Sequence, residues 1–319
     1  MIENIDNNQL PEEPKEPRKI FSTMQPATAA FIALVGIFIT YQIGGAILTL
    51  LIFGLNFDKA DVNQMRLLTM GGQIMLMLLP TLLFARYVYP AHITQILRVK
   101  FPKPKEIGIF IAGLILLTPL LQSYLFLQNY FLDKAADLFP ILRKLTNVLD
   151  QLDKMVEQTY GELLKATSVF EASFVIFVVA IIPALCEEIL FRGLVQKSFE
   201  QKFKPYFSIF ITSLFFGLYH FNPYGLVALV ALGFYFGFAA YKSDSIFIPM
   251  ILHFINNFLA VIAFLVLGSD ELMSTNIKHD GLILPQIFVF LITLALFIGF
   301  IFFVTKNYTK FSKPKEESL

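Results

Sequence analysis

The chain has 319 residues, of which 56% are hydrophobic and only 15% charged. A soluble globular chain carries about a quarter charged residues, so this composition excludes an ordinary soluble domain and points to a membrane protein. The net charge of +1 gives no bulk field for nucleic acid. The single cysteine, Cys186, excludes an intrachain disulfide and, lying in an apolar run, reads as a small buried filler.

Residues 1–28 are polar and punctuated by Pro11, Pro14, Pro17 and Pro26, the composition of a disordered tail. The apolar run that follows is too long for a signal-peptide core and reads as a retained anchor. Crossing about 30 Å of hydrocarbon takes about 20 apolar residues in a helix. Eight stretches reach or approach that length: Ala29–Phe53, Leu67–Tyr87, Ile107–Phe131, Val169–Leu190, Tyr206–His220, Gly225–Tyr241, Ile246–Leu267 and Leu282–Thr305. The fifth and sixth are short. The expected fold is an all-α, multi-spanning transmembrane helical bundle of about eight spans. Its expected parts are a cytoplasmic tail (1–28), a three-span region (29–131), an outside loop (132–168), a membrane domain (169–268), a loop with the last span (269–305) and a basic tail (306–319).

With the N-terminus inside, the inside segments hold 17 Lys and Arg residues and the outside segments 8. The positive-inside rule then places both termini in the cytoplasm, and the short loops suit a bacterial plasma membrane. In the outside loop, Leu138, Leu142, Leu145, Leu149, Leu152 and Val156 recur at alternating spacings of 4 and 3, the stripe of an amphipathic helix. That helix can lie on the membrane face, cover the bundle, or pair with a second copy; covering the bundle is the expectation carried forward.

Ionisable groups at membrane depth cost roughly 2.5–3.5 kcal/mol each, so each needs a reason. Spans four to seven hold Glu187, Glu188, Arg192, His220, His253 and Asn257. Glu188 and Arg192 are four apart and can form an ion pair on one helix face. His253 and Asn257 share that spacing, as do Phe216 and His220. The polar turn near Lys204 lies almost midway between Glu187 and His220, which brings them to one depth if both arms are helical. A carboxylate freed from the ion pair and held near a neutral imidazole is what a general base needs to activate water. His253 and Asn257 can donate to a developing oxyanion. A metal reading stands beside this one, with Glu188, His220 and His253 as a three-ligand set for zinc. His92 and His279 fall in loops and read as bystanders. Gly233 and Gly237 read as a small-residue pair that lets helices approach.

The strings Glu187-Glu188-Ile-Leu-Phe-Arg192 (EExxxR), Phe216-Gly-Leu-Tyr-His220 (FxxxH) and His253-Phe-Ile-Asn-Asn257 (HxxxN) resemble, in order and spacing, the motifs of the CPBP family of intramembrane endopeptidases. That family includes the Ras-converting CAAX endopeptidases and bacterial Abi proteins. The resemblance covers Phe170–Gly268. It implies that Glu187 is the base activating water with help from His220, that Glu188 and Arg192 complete the site, and that His253 and Asn257 form the oxyanion hole. It implies no cofactor with certainty, zinc being the alternative to a glutamate mechanism. The implied partners are membrane lipid and a membrane-associated or lipidated peptide, cleaved near the cytoplasmic side. Two other readings are a non-catalytic scaffold or bacteriocin-immunity-type protein and a small-solute transporter. Against the transporter, the sequence has no inverted repeat.

Overall fold

The computed structural model describes residues 20–54, 61–267 and 283–312. The polar tail through residue 19, His279 and the end of the basic tail lie outside the described residues. Within them the regular elements are helical. They are α1 (Pro26–Phe53), α2 (Val62–Val88), α3 (Pro104–Leu138), α4 (Pro140–Leu164), α5 (Val169–Glu200), α6 (Pro205–Tyr219), α7 (Leu226–Ser243), α8 (Phe247–Leu267) and α9 (Ile283–Ser312), with one further turn at Ile93–Ile96. All of these except α4 and α6 are long and apolar enough to cross a membrane, seven in number among the described residues. The chain is an all-α membrane bundle.

Local chemistry sets the helix starts. Asp61 caps α2 by accepting from the Gln64 amide, and Ser168 caps α5 by accepting from that of Glu171. Prolines open α1, α3, α4 and α6, where a missing N–H costs nothing.

The fifth expected span is a 15-residue helix. At 1.5 Å per residue α6 reaches about 22 Å, short of the hydrocarbon thickness. It packs against α7 as a hairpin, and the connecting residues His220–Gly225 form a polar turn at a cavity. Irregular backbone at membrane depth is tolerated where it lines such a space.

The two ends of the bundle differ. At one, buried Arg98 donates to the carbonyls of Arg192 (3.1 Å) and Ala240 (3.2 Å) and pairs with Asp244 and Glu200. Lys197 joins Asp244 at 2.7 Å. The start of α1 lies at this end, Phe31 meeting Phe199 edge-on, and so does the end of α9, where Lys103 donates to the Ser312 carbonyl.

At the other end α4 crosses the bundle, held by Arg66, which donates to the carbonyls of Leu163 and Lys165, and by Asp150, which accepts from the Tyr224 hydroxyl at 2.5 Å. α4 covers the bundle, but not with the expected stripe. Leu142, Leu149 and Val156 turn inward beside buried Thr146 and Asp153, whereas Leu145 and Leu152 are exposed with Ile141, Val148 and Met155. The heptad pattern merged two adjacent rows of the helix. Polar partners on the bundle, Tyr224 foremost, rotate the polar row inward and leave one apolar row outside.

Candidate active site

The structure brings the six sequence-derived residues together in two layers. The inner layer is sealed. Glu188 and Arg192 are fully buried, one turn apart on α5, with Arg192 Nη1 2.9 Å from Glu188 Oε1. His253 on α8 places Nδ1 2.8 Å from the same oxygen. Arg192 Nη2 donates to the Gly233 carbonyl of α7 at 3.0 Å, and the guanidinium lies over the Phe216 ring at 4.3 Å. A desolvated cation over an aromatic face is worth about 2 kcal/mol or more.

Two glycines make that reach feasible. A Cβ on Gly233 would stand 2.9 Å from the Phe216 ring and 3.2 Å from Arg192 Nη2. On Gly237 it would stand 2.7 Å from Gln196 Oε1. Gln196, one turn after Arg192, donates to the Gly237 carbonyl at 3.0 Å. Two side chains four apart on α5 thus address two carbonyls four apart on α7, and the glycines keep the helices close enough for both.

The outer layer borders a cavity of about 420 Å³. Glu187 has one carboxylate oxygen, Oε2, buried and without a hydrogen-bond partner. Its nearest basic group is His220 Nε2, at 3.9 Å. The His220 ring is fixed by Nδ1, 2.7 Å from the Phe216 carbonyl. A carbonyl only accepts, so Nδ1 carries the proton and Nε2 of the neutral ring is an acceptor. Two acceptors 3.9 Å apart do not bond each other, but one water can donate to both.

His253 and Asn257 also line the cavity, and each has a structural bond as well. Asn257 Nδ2 donates to the Val179 carbonyl at 3.1 Å. Pro183, four residues further along α5, has no N–H to give that carbonyl, and Asn257 replaces the missing donor. Of the pair expected to serve together, His253 is tied to Glu188 and Asn257 to the backbone of α5.

The zinc set does not fit. Glu188 Oε1 is shared by Arg192 and His253, and a guanidinium 2.9 Å away opposes a cation there. His220 points at the other glutamate. Among the described residues no three His, Cys, Asp or Glu side chains gather as a metal site.

Counting charges alone overlooked other cavity residues. Tyr41 and Gln42 on α1, Gln73 on α2, Asn256 on α8 and Tyr160 on α4 all line the space. Neutral amides in apolar spans were the available signal. The Tyr160 hydroxyl is pushed above the usual tyrosine range by burial and then by the Glu187 charge, so α4 approaches the site electrostatically as well. Cys186 is buried, and His92 lies in the turn before Ile93–Ile96, away from the cavity lining.

Because α4 contributes to its lining, the cavity belongs to the α4 end of the bundle, opposite the start of α1 and the end of α9.

No curated protein and no solved structure matched the chain. One family model matches residues 169–259, described as Rce1-like, type II CAAX prenyl endopeptidase Rce1-like. The matched segment runs from the start of α5 into α8 and contains all six site residues. With its three motifs folded around one buried cluster, the segment 169–259 is similar to the CAAX-type endopeptidases that this family model describes, which supports the CPBP resemblance.

Proposed function

We propose that this protein hydrolyses a peptide bond in a membrane-associated substrate by a glutamate mechanism, with Glu187 as general base. The observation that carries the reading is the Glu187 Oε2 atom, buried and unpartnered, 3.9 Å from a histidine nitrogen whose ring is anchored from behind. A water donating one proton to Glu187 and the other to His220 Nε2 keeps a lone pair free for the scissile carbonyl. Attack forms the C–O bond as Glu187 takes a proton. The oxyanion develops toward the second N–H of Asn257 and toward His253, and Glu187 then returns its proton to the leaving amine as the C–N bond breaks. With Nδ1–H given to Glu188, His253 Nε2 donates to the oxyanion only when the ring carries both protons. Glu188 and Arg192 hold His253 in place and do not meet the substrate.

The resident membrane is the plasma membrane, with both termini cytoplasmic. On that orientation the cavity faces the extracytoplasmic side, and the substrate enters from the α4 face. Met77, Val178, Leu229 and Phe264 give the cavity an apolar flank that suits a lipid-modified or hydrophobic peptide segment.

The test is cleavage of prenylated and unmodified peptides by protein in liposomes, read by mass spectrometry, for wild type, Glu187→Gln and His220→Ala. Both variants are expected to lose at least about 100-fold in rate, and a chelator is expected to leave the wild type unchanged. Full cleavage by both variants overturns the reading, and loss with the chelator overturns the glutamate mechanism.

A further inference from the structure

The family match begins at residue 169, yet α1 and α2 also wall the cavity. Their contribution is focused. Among the described residues four helical stretches widen to π-helix: Ile39–Ile43, Gln73–Leu78, Phe177–Ile181 and Ile189–Val195. The first three each present cavity residues, Tyr41 and Gln42, Gln73 and Met77, and Val178 and Val179. The fourth carries Arg192. A π-bulge inserts one residue into a helix and re-aims the side chains around it, at a cost in backbone geometry that favours functional positions. Three helices, two of them outside the matched segment, carry that distortion at one space.

Gln73 is the most telling of these side chains. It is 6% exposed, lines the cavity, and its Oε1 is buried without a hydrogen-bond partner. Leaving a buried acceptor unmade costs about 1–3 kcal/mol. A methionine or leucine would fill the same volume at no such cost, so the amide has a use that appears only when something donates to it. An extended peptide entering the cavity supplies such donors, one backbone N–H per residue. The Glu187–His220 side offers acceptors to water, and the His253–Asn257 side offers donors to a carbonyl. What those groups leave without a partner is a substrate N–H.

We infer that Gln73 is a substrate-binding residue: its Oε1 accepts a backbone N–H of the bound peptide beside the scissile bond, in a subsite that α1 and α2 add to the domain. This rests on the reading of the cavity as a peptide site. Gln73 fixes register and takes no part in proton transfer, so its effect falls on binding.

The test measures affinity in the uncleaving Glu187→Gln protein, separating it from catalysis. A fluorescent peptide cleaved by the wild type, or failing that any hydrophobic peptide retained by Glu187→Gln, is compared with esters that replace each backbone N–H in turn by oxygen. One ester position is expected to bind at least about five-fold more weakly than the amide in Glu187→Gln, and the difference is expected to vanish when Gln73→Leu is added. Gln73→Leu in otherwise wild-type protein is expected to raise KM at least about five-fold with kcat within about two-fold. The inference is overturned if every ester penalty survives Gln73→Leu, or if kcat falls and KM does not. Peptide binding with the expected ester pattern but no cleavage would retain the subsite and overturn the proteolytic reading. A protein that binds no peptide overturns both.

Discussion

Glu187 and Glu188 are neighbours in the chain and opposites in the fold. Glu188 is wholly enclosed, with an arginine and a histidine on one oxygen and the other oxygen shut away without a partner, whereas Glu187 faces a cavity with its unpartnered oxygen at the edge of that space. Successive residues on a helix point about 100° apart, enough here to put one carboxylate in the packing between α5, α7 and α8 and the other at its edge. The pair teaches that an ion-paired carboxylate closed off from the cavity serves stability and position, while an unpaired oxygen beside open space is poised for chemistry. Substitutions on the two sides should therefore break different properties.

The largest effect is expected on the sealed side. Arg192→Leu leaves Glu188 buried against a single histidine, and removing one partner of a buried ion pair costs about 3–5 kcal/mol. Thermal unfolding in detergent should show a large drop in Tm or no folded protein. The double variant Glu188→Leu/Arg192→Leu should recover much of that loss, because no uncompensated charge remains. A single variant as stable as wild type would show that the pair contributes nothing.

On the open side the expectation reverses. Glu187→Gln should cut turnover by about 10²–10⁴-fold with Tm unchanged or slightly raised, since Oε2 has no protein partner to lose. Glu188→Gln should lower Tm and turnover together. If Glu187→Gln unfolded the protein while Glu188→Gln left it intact, the assignment of the two environments would be inverted.

Most of the fold and the gathering of the six candidate residues were legible because both follow from the cost of putting groups in lipid. Hydropathy located the seven long helices, and the same cost made Glu187, Glu188, Arg192, His220, His253 and Asn257 stand out. The division of labour among them was not legible. That His253 meets Glu188 and Asn257 meets Val179 depends on the register of α8 against α5, which no spacing within one helix encodes. Gln73 and Gln196 were missed because neutral amides cost less than charges and were passed over. The face that α4 presents was misassigned because two apolar rows lie side by side on it, and partners distant in sequence, such as Tyr224, decide between them. The shortness of α6 was visible, but not its consequence, a polar turn inside the bundle at His220.

A smaller effect separates packed glycines from idle ones. Gly237→Ala must push aside Gln196 Oε1 and the Ile209 side chain, at 2.7 and 2.9 Å from the new methyl group, an overpacking cost of about 1–3 kcal/mol. Gly36→Ala and Gly45→Ala on α1 meet nothing within 4 Å and should be neutral or stabilising by up to about 1 kcal/mol. Equal Tm values for Gly237→Ala and Gly36→Ala would mean that the α5–α7 contact is looser than these distances state.

The subtlest test concerns the junction between the layers. Pro183 removes an amide proton from α5, and Asn257 gives one to the Val179 carbonyl. If that exchange is why Asn257 is held where it is, the two residues are coupled. Asn257→Ala should cost about 0.5–1.5 kcal/mol of stability, the net worth of one hydrogen bond. In a Pro183→Ala background, where the helix can supply its own donor to Val179, the same substitution should cost measurably less. Released from Val179, Asn257 would also be free to turn, so Pro183→Ala alone should lower turnover if Asn257 acts on the oxyanion. Additive stabilities with unchanged turnover would instead make the Val179 contact incidental and leave Asn257 positioned by α8 alone.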